Sequence, residues 1–314
     1  MRVTQPIASR QTQPLLRIVA PSGAMESPDW LPRAAVRLEK FGFEVQIDPQ
    51  AQAVMQRFAG SDASRAKAFA AALLDPAVSV VMAARGGYGA HRLLPLVDWK
   101  NVAKSVVLHG KALVGHSDIT ALQLALLRHG APSFAGPCAG VDFGGEKVNA
   151  FMQKSLLRGL HGYAKGEQIV SIKAKQKQCF EAQGILWGGN LTMICSLLGT
   201  PYFPKPQQIA GGVLFIEDVN ERPFRVERML NQLHQAGVLS AQNAVLWGDF
   251  GKPTLAEYDR GYGLPSVLDY ARSVLGAKIA TGLPFGHLPK KMTLPMGRRV
   301  NLTVTHKGFE AQLV

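Results

Sequence analysis

Apolar and polar positions follow two alternating rhythms in the first half of the chain. Residues 16–20 form a short apolar run that stops at the turn cluster Pro21-Ser22-Gly23. Over residues 30–41 the apolar positions Leu31, Ala34, Ala35, Leu38 and Phe41 recur at helical spacing, and Gly42 closes the stretch. That spacing predicts an amphipathic helix. Residues 43–47 are strand-like, and 62–74 are Ala-rich and helical, with Asp62 as a candidate N-cap. The Val-rich run over 78–84 predicts a buried strand. The loop Arg85-Gly86-Gly87-Tyr88-Gly89 follows, then a helix over 90–97, a strand over 112–114 and a helix after Ser117. Strands alternating with helices imply a mostly parallel sheet flanked by helices. Ligands of such sheets bind at the carboxyl ends of strands. Residues 21–23, 85–89 and 115–117 all fall there.

The order is less regular after about residue 140. Gly144-Gly145 and the basic stretch 165–178 read as a connector. Strands are expected over 213–216, 244–250, 278–281 and 300–304, and helices over 192–198 and 225–236. The expected fold is therefore α/β: an N-terminal mostly parallel sheet flanked by helices, plus a smaller C-terminal α+β domain. The expected bounds are 1–150 for the first domain, 151–180 for the connector and 181–314 for the second.

Composition narrows the class. A chain of 314 residues with 47% hydrophobic and 18% charged side chains is a folded globular protein. No apolar run approaches the ~18–20 residues of a membrane span. The early apolar piece, 15–20, is interrupted by Arg17 and suits a first buried strand better than a secretory segment. A cytoplasmic location is expected. Cys138, Cys179 and Cys195 are odd in number and widely spaced, and read as three ordinary buried thiols. The net charge of +13 is scattered, with Lys173-Ala174-Lys175-Gln176-Lys177 and Lys290-Lys291 the densest pieces. Without a nucleic-acid signature, this charge predicts a solvated surface and no nucleic-acid partner; attraction of a carboxylate-rich ligand is the functional alternative.

Candidate chemistry centres on Val114-Gly115-His116-Ser117-Asp118-Ile119-Thr120. Ser117 stands where a helix N-cap stands. It also stands where a strand-to-helix corner would hold a nucleophilic serine out of the sheet, although Ile119 replaces the second glycine of G-x-S-x-G. The residues alone leave both readings open. Asp118 could cap the helix with its side chain while its backbone N–H faces an oxyanion. A serine nucleophile needs a base, usually a histidine oriented by a carboxylate. His116 adjoins Ser117 on extended chain and points away from it. His287 lies in a stiff loop, Gly282-Leu283-Pro284-Phe285-Gly286-His287-Leu288-Pro289, and is either a positioned base or a turn residue. The buried strand over 213–216 ends in Glu217 and Asp218; one acid could serve a site and the other could cap residues 220–225. Adjacent acids do not flank one bond as a glycosidase requires. Gly86 and Gly87 could offer backbone N–H groups to an oxyanion, and Arg85 could clamp a carboxylate or simply pair with an acid. Leu186-Trp187-Gly188-Gly189-Asn190-Leu191 walls a pocket, or is core before a helix capped by Asn190. No His-Glu-x-x-His and no His/Cys/Asp set at ligand spacing occurs, so neither a metal nor another cofactor is expected.

The ordered set of Ala20-Pro21-Ser22-Gly23, the 85–89 loop, Gly115-His116-Ser117-Asp118-Ile119-Thr120, the 186–191 segment, Ile216-Glu217-Asp218 and Gly286-His287 resembles the LD-carboxypeptidase (muramoyltetrapeptide carboxypeptidase) family of serine peptidases. The likeness runs from about residue 16 to about 304. It implies a triad of Ser117 as nucleophile, His287 as base and Glu217 as orienting acid. It further implies a murein tetrapeptide substrate, cleaved between the L-centre of meso-diaminopimelate and terminal D-Ala in cell-wall recycling, without a metal. A homodimer is implied too. Microcin-immunity-type relatives, which cleave acyl or peptidyl nucleotides, are the same-fold alternative; a non-catalytic small-ligand binder is the alternative from another class.

Overall fold

The computed structural model describes residues 13–314, so the polar segment 1–12 lies outside the described residues. In chain order its strands are β1 (Leu15–Val19), β2 (Glu44–Ile47), β3 (Val78–Ala83), β4 (Ala112–Gly115), β5 (Ser133–Ala135), β6 (Gln168–Ile172), β7 (Phe180–Asn190), β8 (Val213–Glu217), β9 (Ala244–Trp247), β10 (Ile279–Thr281), β11 (Leu294–Met296), β12 (Arg298–Thr305) and β13 (Gly308–Leu313). They belong to two compact units. The first runs up to Tyr163 and takes back Pro289–Met296; the second comprises Ala164–Leu288 and Gly297–Val314.

The first unit is built on a six-stranded sheet in the order β11-β5-β4-β3-β1-β2. Its strands are parallel except β11, which runs antiparallel to β5. All six residues of β3 and all four of β4 are buried. That explains their unbroken apolar runs, because a parallel sheet is covered on both faces. Helix α1 (Trp30–Glu39) buries Leu31, Ala34, Ala35 and Leu38, the spaced positions of the sequence pattern. Helix α2 (Asp62–Leu74) is capped by Ser61, whose side chain accepts from the Ser64 N–H; the expected cap, Asp62, sits in the first turn instead. Residues 90–97 form a 3-10 segment, Ala90–Leu96, rather than an α-helix, with Pro95 inside it removing a backbone donor. An unanticipated helix, α3 (Trp99–His109), follows, capped by Asp98 and closed by Gly110 at φ 61. Helix α4 (Thr120–Arg128) is buried at every position from Thr120 to Leu127. The stretch expected as a connector begins with helix α5 (Ala150–His161) and includes β6.

The second unit is built on a seven-stranded sheet in the order β10-β9-β8-β7-β12-β13-β6. Strands β7 to β10 are parallel, and β12, β13 and β6 extend the sheet antiparallel. β7 serves both regimes: it pairs antiparallel with β12, and parallel with β8 over Leu186–Asn190. Gly188 allows this. It sits at φ 143, and a Cβ there would lie 1.8 Å from the Phe215 carbonyl oxygen. Helices α6 (Leu191–Ser196), α7 (Pro206–Ile209), α8 (Pro223–Gln235) and α9 (Leu264–Ser273) complete the unit. Among the described residues no helix is long and apolar enough to cross a membrane.

Candidate active site

In the first unit, the carboxyl ends of β1, β3 and β4 deliver the 21–23, 85–89 and 116–118 segments to one edge of the sheet. Gly115 ends β4, where a Cβ would come within 2.9 Å of Ile119 Cγ2 and 3.2 Å of Ala83 Cβ. The glycine is there for the close return of the chain. The conformational strain lies two residues later. Ser117 adopts φ 63, a left-handed backbone that costs a non-glycine residue about 1–2 kcal/mol. Such a residue persists only where its surroundings impose it. Ser117–Ile119 is one 3-10 turn leading into α4, and no side chain caps either start. Ser117 is therefore not a cap.

Asp118 is not a cap either. Its buried carboxylate accepts from Ser22 Oγ at 2.7 Å and from the Ala90 N–H at 2.6 Å. It thereby ties the three loops together. Burial pushes its pKa up, and the Ser22 and Ala90 hydrogen bonds oppose that shift. Ser22 also contacts the Gly87 carbonyl. Gly86 passes so close to the serine that a Cβ there would lie 2.6 Å from Ser117 Cβ and 2.9 Å from its Oγ. Gly86 thus presents bare backbone beside the hydroxyl. Arg85 is engaged within its own unit. Its guanidinium donates to the Ala24 carbonyl at 3.0 Å and to Glu26 at 2.9 Å, which is the acid-pairing alternative of the sequence reading.

In the second unit, all five residues of β8 are buried and the strand ends on Glu217 at 0% exposure. His287 Nδ1 lies 2.8 Å from Glu217 Oε2. The loop carrying His287 is pinned: Leu283 N–H donates to the Trp247 carbonyl at 3.2 Å, and Asp249 N–H to the Phe285 carbonyl at 2.8 Å. Phe285 also packs edge-on against Phe215, with ring centroids 5.2 Å apart. Gly286, at φ 140, lets this loop cross Glu217, since a Cβ there would sit 3.3 Å from Glu217 Cβ. A carboxylate accepting from Nδ1–H leaves Nε2 as the basic nitrogen of a neutral ring. The pair is thus built as an oriented base.

Asp218 points elsewhere. It accepts from Thr192 N–H at 2.9 Å, Thr192 Oγ1 at 2.8 Å and Asn190 Nδ2 at 3.1 Å. The expected cap of residues 220–225 is replaced by a link to the start of α6. Asn190 does cap α6, accepting from the Met193 N–H. Burial raises the Asp218 pKa against these hydrogen bonds. The thiols divide: Cys138 and Cys195 are buried, but Cys179 is exposed, which corrects the expectation of three buried thiols.

Sequence spacing missed two features. Ser22 read only as part of a turn, yet it holds Asp118. His116, Cys138 and Asp142 come together with ligand atoms within 4.8 Å of one another, a set whose distances could suit a metal ion. These positions are too far apart in the chain to form a spacing motif.

Known proteins share this architecture. Residues 16–136 match the LD-carboxypeptidase N-terminal domain, and residues 183–302 match the LD-carboxypeptidase C-terminal domain. The crystal structure of muramoyltetrapeptide carboxypeptidase from Oxalobacter formigenes is 39% identical, with a TM-score of 0.86 over 95% of this chain and 98% of that one. The murein tetrapeptide carboxypeptidase of Pseudomonas aeruginosa is 26% identical over 94% of this chain and 96% of its own. The microcin C7 self-immunity protein, solved with aspartyl sulfamoyl adenosine, has the same fold at 19% identity and a TM-score of 0.82, over 100% of this chain and 99% of that one. Matched in both halves, this chain belongs to the LD-carboxypeptidase family.

Proposed function

We propose that this protein is a serine-type LD-carboxypeptidase that releases terminal D-Ala from murein tetrapeptide, as a cytoplasmic homodimer of the cell-wall recycling route. The observation that carries this reading is the wholly buried Glu217 holding His287 Nδ1 at 2.8 Å. The strained φ of Ser117 and the bare Gly86 backbone beside its hydroxyl support it.

Ser117 Oγ attacks the carbonyl carbon between the L-centre of diaminopimelate and D-Ala, and its proton passes to His287 Nε2. Glu217 keeps that nitrogen unprotonated beforehand and stabilises the imidazolium afterwards. The tetrahedral intermediate collapses, the C–N bond breaks, and His287 returns the proton to the D-Ala amine. Water then cleaves the tripeptidyl ester by the same route in reverse. Backbone N–H groups of Asp118, Gly86 and Gly87 face the oxyanion, and loss of one such donor costs roughly 3–4 kcal/mol of barrier. Arg85 receives the D-Ala carboxylate by exchanging Glu26 for it.

The test is a substrate panel. Murein tripeptide, tetrapeptide and an aspartyl sulfamoyl adenosine are each incubated with the protein. D-Ala release from the tetrapeptide alone is expected. Cleavage of the acyl nucleotide with an intact tetrapeptide would assign the protein to the other chemistry of this fold.

A further inference from the structure

His116, the residue before the proposed nucleophile, is buried and held at both ring nitrogens. Nδ1 lies 3.0 Å from the Gly136 carbonyl, and Nε2 lies 3.1 Å from Lys291 Nζ. Gly136 in turn donates its N–H to the Gly115 carbonyl at 3.0 Å, so the ring is fixed to the strand that launches the turn. Lys291 is itself buried, with its side chain 3% exposed, and its ammonium sits 2.8 Å from Asp142 Oδ1 and 3.1 Å from Oδ2. Asp142 Oδ2 also accepts from the Cys138 N–H at 2.7 Å. A carbonyl acceptor at Nδ1 and an ammonium donor at Nε2 define one tautomer and one ring orientation.

The distances among His116, Cys138 and Asp142 would suit a divalent ion. The cation already in place is the Lys291 ammonium, bonded to two of the three. The third, Cys138, is buried and its Sγ lies 3.5 Å from His116 Nδ1.

Ser117 holds a left-handed backbone between two fixed neighbours. Asp118 is anchored by Ser22 and Ala90 on one side, and His116 by Gly136 and Lys291 on the other. A strained residue stays put only if its surroundings over-determine it. We infer that Lys291 and Asp142, acting through His116, form a resident-cation lock that positions Ser117, and that this cluster is not a metal site. Resting on Ser117 as the nucleophile proposed above, the three are assigned as positioning residues that act through the backbone of the turn.

The experiment uses the full chain and two readouts. One is kcat and KM for D-Ala release from the diaminopimelate tetrapeptide. The other is the second-order rate at which a fluorophosphonate labels Ser117, with Ser117→Ala as the blank. Lys291→Met alone strands the Asp142 charge, so the double variant Lys291→Met/Asp142→Asn is used beside His116→Leu and His116→Gln. The glutamine amide oxygen can still accept from Lys291. In variants whose thermal midpoints stay near wild type, His116→Leu and the double variant should lose 10- to 100-fold in kcat with KM within threefold. Labelling should slow in parallel, and His116→Gln should recover at least half of the loss on a logarithmic scale. Folded variants with unchanged kcat and labelling overturn the lock. One equivalent of zinc in the purified wild type, lost in Cys138→Ser, overturns it as well. A wild type labelled at Ser117 that releases no D-Ala refutes the substrate while the labelling rates still decide the lock. A wild type neither labelled nor active refutes both.

Discussion

At the scale of single residues, the structure separates side chains that cap from side chains that act. Ser117 and Asp118 both look like cap residues in sequence, and neither caps: one is strained beside bare glycine backbone, and the other ties three loops together. Their chemical types were legible, because a serine at a strand-to-helix corner with a distant His and Glu is a recognisable set. Their bonding was not, because it depends on Ser22, Ala90 and Gly86 arriving from elsewhere in the chain. The Glu217–His287 contact gives the sharpest prediction here. Glu217→Gln presents an amide that can offer an N–H to Nδ1 and so favours the wrong tautomer. It should lower kcat by roughly 10³–10⁴-fold with little change in KM. Steady-state kinetics on the tetrapeptide check this, and a loss under tenfold would show that Glu217 is not the orienting acid.

At the scale of elements, the strands that were legible are those buried on both faces, such as β3 and β8, whose runs are continuously apolar. β7 was harder to read. Its first half alternates between partly and fully exposed positions and its second half is buried, because it changes from an antiparallel to a parallel partner along its length. β6 and β13 carry polar residues on an antiparallel part of the sheet and gave no comparable run. Helix α2 shows a different limit. Ser61 and Asp62 are adjacent, both good caps, and only the extended backbone of Ser61 (φ −66, ψ 157) decides between them. The tightest passage is Gly188 against the Phe215 carbonyl, at a φ that L side chains rarely adopt. Gly188→Ala should destabilise the protein by at least about 3 kcal/mol, or prevent folding. Urea unfolding measures it, and a wild-type midpoint would contradict the register of β7 on β8.

At the scale of the whole molecule, the alternation of strand and helix in the first half was enough to infer a parallel sheet, and the ordered motifs were enough to suggest the family. The second sheet was not foreseen as seven-stranded, because its strands are interrupted in sequence by α6 to α9 and completed by the C-terminal hairpin β12–β13. The net charge of +13 distinguishes no function by itself, since a scattered basic surface and an attraction for a polycarboxylate peptide share it. The central claim is that Ser117 carries hydrolysis of the bond to terminal D-Ala. The most direct measurement is D-Ala release from diaminopimelate tetrapeptide by wild type and by folded Ser117→Ala, both in excess EDTA. Release by the wild type and none above background by the variant is the predicted result; equal release by both would contradict the account.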